Sequence, residues 1–131
     1  MRTNFKFGVR SMRRLKGVHP DLIRALVYAL QNSQIDFGIA EGKRTLARQE
    51  RLKAEGKSRT LNSRHLTGHA VDVYAWVDGA ASWSKSDLRE VWRAVRLAGQ
   101  RLDVAVKWGG NWRNFVDAPH FALDWAKYPG L

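Results

Sequence analysis

Ala70-Val71-Asp72-Val73-Tyr74-Ala75-Trp76-Val77 is the stretch whose reading decides the fold. Val71, Val73, Ala75 and Val77 alternate with Asp72, Tyr74 and Trp76, the pattern of a strand with two distinct faces. Just upstream, Ser63-Arg64-His65-Leu66-Thr67-Gly68-His69 supplies two imidazoles and a glycine. A tight turn at Gly68 would carry the chain from a loop into the strand and bring His65 and Asp72 to one point.

Working outward, the clearest helix runs from Ser86 or Asp87 to Leu102. Leu88, Val91, Trp92, Val95, Ala98, Gly99 and Leu102 fall on one face, with Arg89, Arg93, Arg96 and Arg101 outside it. Gly99 within that pattern costs about 1 kcal/mol relative to Ala, which close packing against a strand would explain. Val104 to Trp108 reads as a further strand, Gly109-Gly110-Asn111 as a turn, and Pro119 to Leu123 as the last strand. Upstream, Phe5 to Gly17 reads as a basic lead-in. A first helix starts at His19-Pro20-Asp21, with proline in the first turn, and ends at Asn32-Ser33. Asp36 to Ala40 is a short strand, Leu46 to Glu55 a polar helix stopped by Gly56, and Lys57 to Arg64 a basic loop. Helices and short strands without a repeated βαβ rhythm predict a small α+β domain spanning 1–131, a short antiparallel sheet flanked by helices.

The 131 residues are 44% hydrophobic and 11% aromatic, enough for one real core and too apolar for a disordered chain. There is no cysteine, which excludes disulfides, iron–sulfur clusters, thiolate zinc fingers and a cysteine nucleophile. Any metal must be held by His, Asp or Glu. The formal charge is +11 and uneven: residues 1–64 carry 15 basic and 5 acidic side chains, residues 65–131 carry 8 and 7. A basic half fits an anionic partner, whether nucleic acid, membrane surface or cell-wall polymer, although excess charge also serves solubility. Arg2, Lys6, Arg10, Arg13, Arg14 and Lys16 leave no apolar stretch for an export signal. The most apolar segment, Leu22 to Leu30, is short and contains Arg24, so no transmembrane segment is expected.

A catalytic zinc takes three protein ligands of the His/His/carboxylate kind and keeps a fourth position for water. His65, Asp72 and His120 supply that set if the strand opened by His120 lies beside the strand bearing Asp72. A helical His-Glu-x-x-x-His pair is excluded, because Leu66 follows His65 and Gly68 opposes a helix. Any one of these histidines alone is more often an ordinary polar core residue. Two of them with a carboxylate at fixed spacing, and Asp117 three residues before His120, favour the metal.

Ser63-x-His65-x-x-Gly68-x-Ala70-x-Asp72, followed far downstream by Asp117-x-Pro119-His120, resembles the LAS-type zinc peptidases. These comprise D-Ala-D-Ala carboxypeptidases and dipeptidases and the L-alanyl-D-glutamate endopeptidases. Three further segments resemble the phage-endolysin branch: Phe5-Lys6-Phe7-Gly8 with Gly17-Val18-His19-Pro20-Asp21-Leu22, then Gly42-x-Arg44-Thr45, then Trp108-Gly109-Gly110-x-Trp112. The resemblance implies a LAS/Hedgehog-like architecture and one catalytic zinc held by His65, Asp72 and His120. It makes Asp117 the general base and Arg44 a residue that contacts substrate or steadies the oxyanion. Trp108 and Trp112 are candidates to line a substrate groove, Ser63 to orient a ligand, and His69 to lie outside the ligand set. Some relatives carry an acidic, calcium-binding insertion before the last motif. Here only Arg113 to Val116 separate Trp112 from Asp117, so no calcium switch is expected.

The implied activity is that of a monomeric endolysin cutting the L-Ala-D-Glu bond of peptidoglycan stem peptides, its basic surface holding it to anionic wall and envelope polymers. It would stay in the host cytoplasm until the membrane is permeabilised and then reach the periplasm and cell wall. Rival readings are a D-Ala-D-Ala carboxypeptidase or dipeptidase of the same family and a basic nucleic-acid-binding module. The latter leaves the metal constellation unexplained and lacks any reading-helix, finger or RNP-type motif.

Overall fold

The computed structural model describes residues 3–129; Met1, Gly130, Leu131 and the Arg2 of the lead-in lie outside the described residues. Two long helices cover one face of the sheet. In α2 (Pro20–Asn32), Pro20 fills the first turn and His19 Nδ1 accepts the Asp21 N–H at 3.1 Å, satisfying an otherwise orphaned donor. In α4 (Lys85–Leu102) the Ser84 hydroxyl accepts the Asp87 N–H at 3.1 Å. Leu22, Ala25, Leu26, Ala29 and Leu30 of α2 are buried, as are Leu88, Val91, Val95, Ala98 and Gly99 of α4. Burial at Gly99 has a backbone cause. A Cβ there would lie 2.5 Å from the Val104 carbonyl oxygen, so the helix packs on the chain just before the next strand.

The strands are β1 (Asp36–Glu41), β2 (Ala70–Val77), β3 (Ala80–Ser82), β4 (Val106–Trp108) and β5 (His120–Leu123), in the order β1-β2-β5-β4, all paired antiparallel. β3 pairs the far end of β2. A polar helix, α3 (Leu46–Ala54), and a 3-10 turn (Arg64–Thr67) link β1 to β2, and a second 3-10 turn (Gly109–Asn111) follows β4. Opposed residues of antiparallel strands share a face. Phe37, Ile39, Val71, Val73, Ala75, Phe121, Leu123 and Trp108 therefore all point into the core, where each is buried. The other face carries Glu41, Asp72, Tyr74, Trp76, His120, Ala122 and Lys107.

Three expectations need correction. The lead-in contains a helix, α1 (Val9–Arg14), too short and too basic to show a period. It clips onto the edge of β1: the Ser11 hydroxyl accepts the Ile39 N–H at 3.0 Å and Arg14 Nη1 donates to the Ile39 carbonyl at 2.9 Å. β3 is an extra strand, reached from β2 through Asp78 and Gly79, both at positive φ (52° and 78°). Finally, the strand expected from Val104 begins at Val106.

Candidate metal centre and cleft

The metal-ligand candidates are gathered on the open face by three separate devices. The β2–β5 register sets Asp72 directly opposite His120. Gly68 then ends the 3-10 turn in the left-handed conformation (φ 77°), where a Cβ would lie 2.2 Å from the Gly17 carbonyl oxygen. Glycine alone avoids both the strain and that collision. Last, the Ser63 hydroxyl accepts the His65 N–H at 3.2 Å, so Ser63 fixes the backbone that carries His65, and not the imidazole itself.

One ligand atom each from His65, Asp72 and His120 lies within 4.8 Å of the others. Asp72 Oδ1 stands 3.3 Å from His65 Nε2 and 3.7 Å from His120 Nδ1. Donors about 2.0–2.2 Å from a tetrahedral ion are about 3.3–3.6 Å apart, so the two distances to Asp72 are close to those around a small divalent cation. Two further observations point to one. Asp72 Oδ1 is buried and accepts no hydrogen bond among the described residues, a costly state for a carboxylate oxygen unless a cation is its partner. His65 Nδ1 lies 2.9 Å from the Gly42 carbonyl oxygen. A carbonyl can only accept, so Nδ1 carries the proton and Nε2 keeps its lone pair for the ion.

Around Asp72 the charges are ordered. Burial pushes its carboxyl up, but the imidazoles of His120 and His65 outweigh that and hold it well below the usual carboxylate range. Its Oδ2 accepts from Arg44 Nη2 at 3.4 Å. The Arg44 side chain is only 8% exposed, so it is no surface charge. Its fork also reaches Glu41 Oε1 from Nε (2.8 Å) and from Nη2, and Gln49 Oε1 from Nη1 (2.7 Å). Glu41 in turn holds Arg48 at 2.7 Å. Burial raises the Glu41 carboxyl, yet Arg48 and Arg44 together leave it lowered. A bulge between Ile39 and Glu41 puts Glu41 opposite Asp72 instead of facing the core.

Asp117 lines the same cavity, of about 500 Å³, as His65, Asp72, His120 and Trp112. Its carboxyl is pushed up by burial first and by the Asp72 charge second, against the pull of His120, His65 and Arg44. Its backbone N–H donates to the Gly109 carbonyl and its carbonyl accepts from His120, both at 3.1 Å. The turn is thus held by main chain, while the side chain is left to the cleft. The Trp112 ring lies 4.9 Å from that of His120 and is 42% exposed.

Trp108 is not a groove residue. It is 2% exposed, stacks with Trp92 and Phe121, and donates its indole N–H to the Ala118 carbonyl at 2.6 Å. The cause is alternation, since Trp108 lies opposite core-facing Phe121. Arg64, expected in a solvated basic loop, is buried at 4% exposure. Its guanidinium covers the Trp125 ring at 4.1 Å and donates to the Leu123 and Tyr128 carbonyls. His69 stays out of the ligand group, with Nδ1 2.7 Å from the Thr67 hydroxyl. Glu41 and Gln49 are the site residues that sequence reasoning missed. Glu41 stands three residues before Arg44, a spacing that an ion pair spans; Gln49 gave no signal in a polar helix.

The pattern of the phage L-alanyl-D-glutamate peptidase family matches residues 3–123. The L-alanyl-D-glutamate peptidase of Escherichia phage T5 is 34% identical over 115 residues, 83% of this chain and 82% of that protein. The peptidoglycan L-alanyl-D-glutamate endopeptidase CwlK of Bacillus subtilis is 30% identical over 118 residues, 76% of this chain and 67% of that one. Among solved structures, the L-Ala D-Glu endopeptidase ChiX of Serratia marcescens matches with a TM-score of 0.90 at 43% identity, over 97% of this chain and 96% of its own. With the His-His-Asp group, the sheet that carries it and nearly the whole chain in agreement, the protein belongs to the phage L-alanyl-D-glutamate peptidase family.

Proposed function

We propose that this chain, as one peptidase domain over residues 1–131, is a zinc-dependent endopeptidase that hydrolyses the L-Ala-D-Glu bond of peptidoglycan stem peptides. The observation that carries the reading is the buried Asp72 Oδ1, which accepts no hydrogen bond among the described residues and stands between two imidazole nitrogens, on a face shared with an open cleft. His65 through Nε2, Asp72 through Oδ1 and His120 through Nδ1 would hold the ion, and a nitrogen-rich donor set without sulfur suits zinc. Zinc bound there supplies a Lewis acid for the scissile carbonyl and lowers the pKa of an attacking water.

The chain's own residues do the rest. Asp117 takes the proton of the attacking water and delivers it to the departing D-Glu amine, and its raised affinity for a proton suits that task. Arg44 holds Asp72 Oδ2, which turns Oδ1 toward the ion; the second N–H of its Nη1, without a partner among the described residues, can meet the developing negative charge. Trp112, half-exposed beside His120, walls the cleft. The excess of cations in residues 1–64 holds the enzyme to anionic wall polymers. Among the described residues no helix is long and apolar enough to cross a membrane. Action as a monomer on the wall, after release from the host cytoplasm, completes the reading.

Digestion of purified peptidoglycan with mass spectrometry of the products tests it. New D-Glu amino termini on intact glycan chains are expected. Free D-Ala as the sole product would shift the assignment to a carboxypeptidase, and new reducing ends would overturn it.

A further inference from the structure

The open face of the sheet continues past the metal centre. Tyr74 and Trp76 follow Asp72 on the same face of β2, about 7 and about 14 Å along the strand. Trp76 is 45% exposed; Trp83, after β3, is 53% exposed, with its ring 5.9 Å from that of Tyr74. Gly38, opposite Tyr74 on β1, makes room for this phenol: a Cβ there would meet the Tyr74 hydroxyl at 2.3 Å. Beside these rings lies a groove of about 230 Å³ lined in part by Lys6, Phe7, Asp36, Tyr74 and Trp76. One Asp36 oxygen accepts the Phe37 N–H at 2.8 Å, and the other has no partner among the described residues.

Exposed indoles on β2 and just after β3, next to a carboxylate with a free oxygen among the described residues, form a surface for a ligand with an apolar face and hydroxyl edges. A pyranose has both. The cleft's opposite side is cationic, with Lys57, Arg59 and Lys107 lining it. Arg59 lies over the Phe115 ring at 5.0 Å and pairs with no carboxylate among the described residues. A D-Glu residue after the scissile bond carries a carboxylate beyond the one in the chain, so the downstream peptide fits the cationic side. The upstream side, where L-Ala is joined through a lactyl group to an N-acetylated sugar, is then left for the aromatic surface.

We propose that Tyr74, Trp76 and Trp83, with Asp36, form a subsite for the N-acetylated sugar ring that bears the stem peptide and for its neighbour in the glycan. This rests on the peptidase reading above. The lengths agree. L-Ala and the lactyl group each reach at most about 3.6 Å, which brings the first ring to the level of Tyr74 and the next toward Trp76.

The test compares two substrates, a muropeptide that carries its sugars and the same stem peptide without them. Trp76→Ala and Trp83→Ala should each lower kcat/KM on the first by about tenfold, one lost stacking contact of about 1.4 kcal/mol. Neither should alter cleavage of the sugar-free peptide, and Trp76→Phe should recover most of the loss. Both indoles are half-exposed, so thermal unfolding should be little changed. In a second arm, tetrameric N-acetylglucosamine should perturb tryptophan fluorescence of the wild type and not of the double variant. Equal losses on both substrates, no loss on either, or a fluorescence response unchanged by the substitutions would overturn the subsite. So would sedimentation showing a dimer that Trp76→Ala dissociates, since a second copy would then cover the patch. Wild-type protein that binds the sugar yet cuts neither substrate would instead count against the peptidase reading.

Discussion

Asp117→Asn separates catalysis from metal binding and from folding. The carboxylate makes no hydrogen bond among the described residues; the turn around it is held by Asp117 N–H to Gly109 and His120 N–H to Asp117, which any side chain preserves. Asn keeps the volume but loses the negative charge and with it the ability to take a proton. General base catalysis is worth about 10²–10⁴ in rate, about 3–5 kcal/mol of barrier, and kcat on a stem peptide should fall on that scale while the metal is retained. Stability should move the other way. Burial and the Asp72 charge raise this carboxyl in the folded protein, so above the unfolded value of about 3.9 its ionisation opposes folding. The metal-free Asn variant should therefore melt higher than metal-free wild type at pH 7, and the gain should vanish below about pH 4, where the acid is neutral in both states. Metal content, thermal unfolding at both pH values and peptide cleavage, measured on one preparation, decide the matter. Cleavage near the wild-type rate would refute Asp117 as the base, and a metal-free variant that melts lower at pH 7 would refute the electrostatics.

Chelation should remove close to one zinc per chain, abolish cleavage and lower the melting temperature, because an ion that binds only the folded state stabilises it; His120→Ala with full zinc content would exclude that ligand. Binding to intact cell walls should weaken steeply with salt, since exposed charges are screened within about 10 Å at 0.1 M. Neutralising Arg10, Arg13 and Lys53, all exposed and none lining the cleft, should reduce wall binding more than cleavage of a short peptide; equal effects would argue against a surface role. Gly68→Ala should destabilise by more than the about 1–2 kcal/mol of left-handed strain, since its Cβ meets the Gly17 carbonyl at 2.2 Å, and it should depress metal affinity through His65. Unchanged melting and zinc affinity would dismiss both effects.

What the sequence made legible follows from how local each signal is. The period of two in Val71 to Val77 and the amphipathic run to Leu102 report burial directly, and both elements appear with nearly those bounds. The grouping of His65 with Asp72 was legible because Gly68 and the strand give the two a fixed relation. Trp108 was misread by its neighbours Gly109 and Gly110, although the alternation Val106-Lys107-Trp108 already assigned its face. Asp78-Gly79 is a hairpin signal, and β3 could have been read from it. Other features were out of reach. The bulge that turns Glu41 toward Arg44, the buried Gln49 and the buried Arg64 depend on contacts between segments far apart in sequence, which no local pattern encodes.

The charges near the metal position explain why so polar a cluster is tolerated on a half-enclosed face. A divalent ion would be neutralised by Asp72 and Asp117, while Glu41 offsets one of its two arginines, Arg44 and Arg48. One positive charge then remains beside the scissile carbonyl, with Lys57, Arg59 and Lys107 further along the cleft. Such an excess attracts an anionic stem peptide before reaction and favours the negative charge that develops during it. With Asp117 as the proposed base, moving the water's proton onto it would give the side chains one more positive charge, matched by the negative charge arriving on the carbonyl oxygen. Substrate attraction and transition-state stabilisation thus draw on the same side chains, so removing Arg48, which touches Glu41 but not Asp72, should weaken both.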